Sequence, residues 1–159
     1  VNLQPIGTWI YGPATNLSPA PPRAQIVALQ AALAAMPQAE VGLQHLFSPG
    51  QYTRVCTLAP GVYVGKIHRH QHPTFLMSGT CRINTDRGME TITGPHVWIS
   101  QPDAKRALVC LTDCVFATVH LNPTDTTDLD AIEVDVIVPE SLTHEATALE
   151  HDALQEVFA

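Results

Sequence analysis

From Tyr52 to His120 the chain breaks into short runs of β-branched and apolar residues, each closed by a turn-forming group. This rhythm limits the fold more than any other feature. The runs are Tyr52–Leu58, Val62–His70, Thr74–Met77, Cys81–Thr85, Glu90–Thr93, His96–Ser100, Arg106–Leu111 and Val115–Leu121. Between them stand Ala59-Pro60-Gly61, Ser78-Gly79, Asp86-Arg87-Gly88 and Gly94-Pro95. Glycine supplies positive φ, proline presets φ, and aspartate ties its own backbone, so these are turns with a mechanism. Short strands at even spacing predict a mainly β, antiparallel jelly roll or closed barrel, an arrangement that removes exposed sheet edges.

With 159 residues the chain is one domain on length, carrying additions at both ends. Residues 1–22 hold Pro5, Pro13, Pro19, Pro21 and Pro22 among Gly, Asn, Thr and Ser, which forbids a helix or an interior strand. This extended arm nevertheless carries Ile6, Trp9, Ile10 and Tyr11, and those four are the expected contacts with a neighbouring subunit. Residues 23–38 read as a helix, Arg23–Met36, stopped by Pro37 and packed on the barrel through Ile26, Leu29, Leu33 and Met36. The barrel spans 45–121, and 122–159 is a helical extension. There Thr127 is the expected cap of a helix opening at Asp128, and Ser141 that of a last helix presenting Leu142, Ala146, Leu149 and Ala153.

A net charge of −7 with scattered cations argues against a nucleic-acid surface, which needs clustered Lys and Arg. No apolar run reaches the ~18 residues of a membrane span, and no signal peptide opens the chain. Cys56, Cys81, Cys110 and Cys114 lie in or beside strands at no zinc-like spacing. They read as small hydrophobes, which implies a reducing compartment and cytoplasmic synthesis, with a Cys110–Cys114 bridge as the alternative.

The chemistry concentrates in His68-Arg69-His70-Gln71-His72. Alternate residues of a strand share one face, roughly 6–7 Å apart, so three imidazoles there could lean toward one ion. His68, His72 and His70 are therefore the candidate ligands, in that order, of a divalent transition metal such as Zn, Fe, Ni or Mn. His120 or His96 could add a fourth ligand, though no motif marks either. Lys66, if inward, would hold an anionic ligand near the imidazoles or run its stem along the barrel wall. Histidines that simply pair with water or backbone are the competing reading.

The same stretch resembles the first motif of the cupin family, a His-x-His pair, an acid four residues on, and a glycine seven further. Gly79 matches the closing glycine, preceded by Phe75-Leu76-Met77-Ser78. Counting back places His72 at the acid, His68 at the second histidine and Lys66 at the first. The second motif resembles Pro102-Asp103-Ala104-Lys105-Arg106-Ala107, with Ala104 for its glycine and Ala107 for its histidine. The resemblance implies a cupin barrel in which the chain turns at His70 and His72 swings inward.

A longer likeness runs from about Gln25 to Ile137. It includes Gly50-Gln51-Tyr52-Thr53-Arg54, Gly65-Lys66-Ile67-His68-Arg69 and Val115-Phe116-Ala117-Thr118-Val119-His120. These segments resemble small cupin-like proteins encoded in tailed-phage genomes. The resemblance implies a cupin barrel of phage origin with no settled activity. Joined to the degenerate cupin site and the apolar anchors of the Pro-rich arm, it leads to the expectation of a phage virion structural protein, a capsid decoration or head–tail component. Such a protein would be made in the host cytoplasm and located in the virion. It would assemble as a homo-oligomer with other virion proteins through barrel and arm, without catalysis. The alternatives are a metal-dependent cupin enzyme of dioxygenase or isomerase type, or a cupin that binds a small ligand.

Overall fold

The computed structural model describes residues 21–140. Residues 1–20, with the expected anchors Ile6, Trp9, Ile10 and Tyr11, and the helix expected after Ser141 lie outside the described residues. Within them are two helices and nine strands. Helix α1 is Arg23–Ala34, and the strands that follow are β1 Gly42–Ser48, β2 Gln51–Leu58, β3 Gly61–Val64, β4 His72–Ser78 and β5 Thr80–Thr85. Then come β6 Gly88–Thr93, β7 His96–Ser100, β8 Ala107–Cys110, β9 Cys114–Leu121 and helix α2 Leu129–Val136.

All strand pairs are antiparallel. They form a five-stranded sheet, β1-β2-β9-β4-β7, and a four-stranded sheet, β3-β8-β5-β6. Leu58, Leu76, Cys114 and Phe116 from the first meet Cys81, Ile83, Ile92, Leu108 and Cys110 from the second, so the fold is a β-sandwich with its core between the sheets. From β4 through β9 the strands mostly switch sheets at a single corner. There the Gly94 N–H donates to the Gly79 carbonyl, and the Leu111 and Thr112 N–H groups both donate to that of Thr80. Gly79 sits in this crossing at φ +93°, where a Cβ would come within 2.2 Å of the Asp113 carbonyl oxygen.

Three expected boundaries are corrected. The run Val62–His70 does not continue as a strand: β3 ends at Val64, because after Gly65 the chain leaves the β8 ladder and crosses toward β4. The expected Thr127 cap is also displaced by one residue. The Asp128 carboxylate accepts from the Asp130 and Ala131 N–H groups, while the Thr126 hydroxyl accepts from the Asp128 N–H. Strand β1 had no expected counterpart. It is an edge strand with almost every residue exposed, so no buried face marks it in the sequence.

Helix α1 ends at Ala34, two residues before the expected Met36, and Met36 is exposed. Its Ile26 and Leu29 pack on Val62, Val64 and Ala107, covering the outer side of β3 and β8. The four cysteines are free, and Cys81, Cys110 and Cys114 are buried. Burial pushes the Cys81 thiol up to about 12 and raises those of Cys56 and Cys110, so they stay protonated and serve as core hydrophobes.

Candidate metal centre

Period two places Tyr52, Arg54, Cys56 and Leu58 of β2 on the inner face of the five-stranded sheet. Their cross-strand partners on β9 are His120, Thr118, Phe116 and Cys114. Thr74 of β4 pairs with Thr118, and His72 pairs with Ser100 of β7. The inner face is thus divided along the strands. Cys56, Leu58, Leu76, Phe116 and Cys114 belong to the core at one end, while His72, Thr74, Ser100, Thr118, His120, Tyr52 and Arg54 occupy the other. Helix α2 packs at the polar end, where Ile132, Val136 and Ile137 pack with Tyr52.

Three imidazoles meet there. The potential ligand nitrogens of His68, His72 and His120 lie within 4.8 Å of one another. Ring centroids are 4.3 Å apart for His68–His72, 4.6 Å for His72–His120 and 5.2 Å for His68–His120. Two of the three come from the expected set. His120 enters through the β2–β9–β4 register, which brings the last strand between the other two.

His68 lies outside the sheets, yet it is firmly held. It bridges Ile137 in antiparallel fashion, the Arg69 N–H donates to the Val136 carbonyl, and the Val138 N–H donates to that of Ile67. Its own carbonyl accepts from the Asp103 N–H. His70 is exposed and outside the cluster, because the chain between Val64 and His72 is not a strand and alternate residues there share no face. Its carbonyl lies 3.0 Å from His72 Nδ1. Lys66 points away from the histidines, and its ammonium pairs with Glu133 of α2 on the surface. His96, the other residue considered, packs beside Trp98 toward the opposite end of β7.

The donor set fits a metal ion by several features. His72 and His120 are about as buried as core side chains, at 4% and 5% exposure. Burial first, then the neighbouring imidazoles and Arg54, lowers the His68 and His120 pKa values from 6.5 to about 3. Burial likewise lowers that of His72. All three are therefore neutral near pH 7, the form that ligates metal. A bond from His72 Nδ1–H to the His70 carbonyl leaves Nε2 as the free donor, the arrangement by which outer hydrogen bonds orient ligating histidines. His120 Nε2 lies 3.0 Å from the Thr118 hydroxyl. Finally, His68 Nε2 is buried without any hydrogen-bond partner, a costly condition that coordination would relieve. Imidazole nitrogens bound to one ion at roughly 2.0–2.1 Å sit roughly 3.3 Å apart, so nitrogens within 4.8 Å of one another are near the spacing that a shared ion requires.

Beside the cluster, Tyr52 stacks between His45 and His120, and its hydroxyl lies 2.7 Å from His45 Nδ1. Burial raises the Tyr52 pKa, keeping the phenol protonated. Tyr52, Arg54 and His45 were not legible as site residues. Only the β1–β2–β9 register, which sets His45 opposite Arg54 and Tyr52 opposite His120, brings them in.

Fold and site together define an antiparallel β-sandwich with a candidate three-histidine centre at its polar end. No family model matches the chain, and no curated protein matches its sequence. Solved structures that resemble it include an RmlC-like cupin from Shewanella frigidimarina, 18% identical over 60% of this chain and 85% of that one, TM-score 0.46. A cupin superfamily protein from Desulfitobacterium hafniense is 13% identical over 67% and 98%, TM-score 0.44. The cupin domain of an XRE family transcriptional regulator from Enterobacter cloacae is 16% identical over 51% and 95%, TM-score 0.44.

Proposed function

We propose that this chain is a cupin-type protein that binds a divalent transition metal through His68, His72 and His120 and uses that centre to engage a small ligand. The observation that carries the reading is the convergence of three neutral imidazoles, one with a buried and unpartnered Nε2. A metal held by three protein ligands keeps open positions, and it would supply Lewis-acid polarisation of a ligand oxygen there. The protein's own contribution is to exclude water with α2 and to fix the His72 tautomer through the His70 carbonyl. Protein purified without chelators should contain near-stoichiometric metal, or gain thermal stability on adding Zn, Ni, Mn or Fe(II). Both effects should be lost in His120→Ala and His68→Ala. Metal-free protein that gains no stability from any of the four ions refutes the reading.

A second reading, assembly as a virion component, rests on the phage likeness and finds support in one feature. The outer face of the five-stranded sheet exposes Leu46, Phe75, Val97, Ile99 and Leu121, an apolar surface of the kind that marks contact sites. Sedimentation of the full chain against Val97→Glu/Ile99→Glu tests it: an oligomer that dissociates supports assembly through this face, and a monomer in both refutes it.

A further inference from the structure

Arg54 is a cation in an unusual setting. Its position on β2 sets it between Thr118 and His45 in the sheet, on the face that carries Tyr52 and His120. It is half-buried, and among the described residues no hydrogen bond or ion pair engages its guanidinium. The other cations of the described chain whose partners are identified are held elsewhere: Lys66 by Glu133, Lys105 by Glu140, Arg87 by Glu90 and Arg106 by Asp86. The polar end of the inner face presents no carboxylate among the described residues. After burial and other neighbours, the Arg54 charge also helps to lower the His68, His72 and His120 pKa values, and it offsets part of the rise that burial causes in those of Tyr52 and Cys56 on the same face of β2. Among the described residues no carboxylate pairs with this cation, and Glu133, the acid whose charge reaches Tyr52, is engaged by Lys66.

We infer that Arg54 is the anchor for an anionic ligand of the three-histidine centre, and that this ligand is a small organic carboxylate. A planar guanidinium matches a carboxylate through two parallel N–H···O bonds. A single guanidinium is the right complement for one negative charge, whereas a phosphate dianion would leave its second charge without a cation on this face among the described residues. With the carboxylate on Arg54, a second oxygen of the same molecule can reach toward the histidines. The inference rests on the metal-centre reading for that second contact only, because the guanidinium–carboxylate pair needs no metal.

The test uses the full chain, metal-free and cobalt(II)-loaded, with glycolate as probe and glycolamide and inorganic phosphate as comparators. Calorimetry reads binding to both forms, and the visible cobalt spectrum gives a second readout. Glycolate should bind, glycolamide should not, and Arg54→Gln should weaken glycolate roughly 10- to 100-fold, the range of charge-assisted hydrogen bonds. Cobalt affinity should be unchanged or slightly raised in that variant. Arg54→Lys, which keeps the charge but not the fork, should bind glycolate with intermediate affinity and covers the case in which Arg54→Gln does not fold. Equal glycolate affinity in wild type and either variant overturns the inference, as does phosphate binding more tightly than glycolate. If cobalt fails to bind wild type, the metal-centre reading falls, and the metal-free titration still decides the role of Arg54.

Discussion

Replacing Gly79 by alanine should be among the most damaging single-methyl additions this fold can receive. Two separate costs arise at that position. The backbone sits at φ +93°, in a region L-residues avoid, which costs about 1–2 kcal/mol. The new Cβ would also stand 2.2 Å from the Asp113 carbonyl oxygen, 2.8 Å from Cys114 Sγ and 2.9 Å from Cys114 Cα. Two of those atoms are backbone, held where β8 passes into β9, so a shift must propagate into the corner. Overpacking of this kind costs about 1–3 kcal/mol, and the two terms together predict about 2–5 kcal/mol. Gly50 supplies the control: it has φ +74° but nothing within 4 Å of a built Cβ, so Gly50→Ala carries the backbone term alone. Urea unfolding followed by Trp fluorescence measures both. With an m-value of about 1–2 kcal/mol/M, Gly79→Ala should lower the midpoint by about 1–5 M, and Gly50→Ala by about half as much or less. Midpoints for the two variants that agree within error would refute the steric part of the reasoning. Because Gly79 lies at the apolar end, the folded fraction of Gly79→Ala should keep its metal affinity.

Asn84 donates to the Lys105 carbonyl and accepts from the Ala107 N–H, so Asn84→Ala leaves two buried backbone groups unpaired. It should cost about 1–3 kcal/mol for each, read as a lower urea midpoint. Lys105, with its side chain 2% exposed, pairs with Glu140; Lys105→Met should cost about 2 kcal/mol, and adding Glu140→Leu should recover most of it. His68 and His120 titrate near 6.5 when unfolded and near 3 when folded, so below pH 6.5 the unfolded chain takes up protons that the folded chain refuses. Metal-free protein should lose stability steadily from pH 6.5 to 5, above the range of ordinary carboxylates, and His120→Asn should flatten the slope. Midpoints that do not change across this interval in wild type would contradict the burial of these imidazoles.

The strands of the sandwich were legible because both their period and their punctuation are local. Every expected run from Tyr52 to Leu121 holds a real strand, and Gly79 marks a real corner. What was not legible depends on pairing across sequence distance. The edge strand β1 shows no burial alternation, since neither of its faces is covered. The run through His68 carries β-branched residues and yet leaves the sheet, where the extended residue Ile137, just after α2, bridges it in place of a strand. The same event decides the site. Counting by two along one strand groups His68, His70 and His72, whereas the folded chain groups His68, His72 and His120. Arg54 and Tyr52 carry no motif at all, and only the β2–β9 register assigns them a place.

The way His68 is held ties the centre to the C-terminal end of the described chain. Its loop is fixed to residues 134–138 through the Ile137 bridge, the Arg69 and Val138 amides, and the bond from Arg69 Nε to the Val134 carbonyl. Detaching α2 would therefore release one of three ligands, and an ion bound by all three would resist that detachment. The two events share one coupling free energy, so each must influence the other to the same degree. Hydrogen exchange at the Arg69 and Val138 amides would report the ion's occupancy from outside the cluster. Any macromolecule that captures the α2 segment would, by the same reciprocity, act as an antagonist of the metal without ever approaching it.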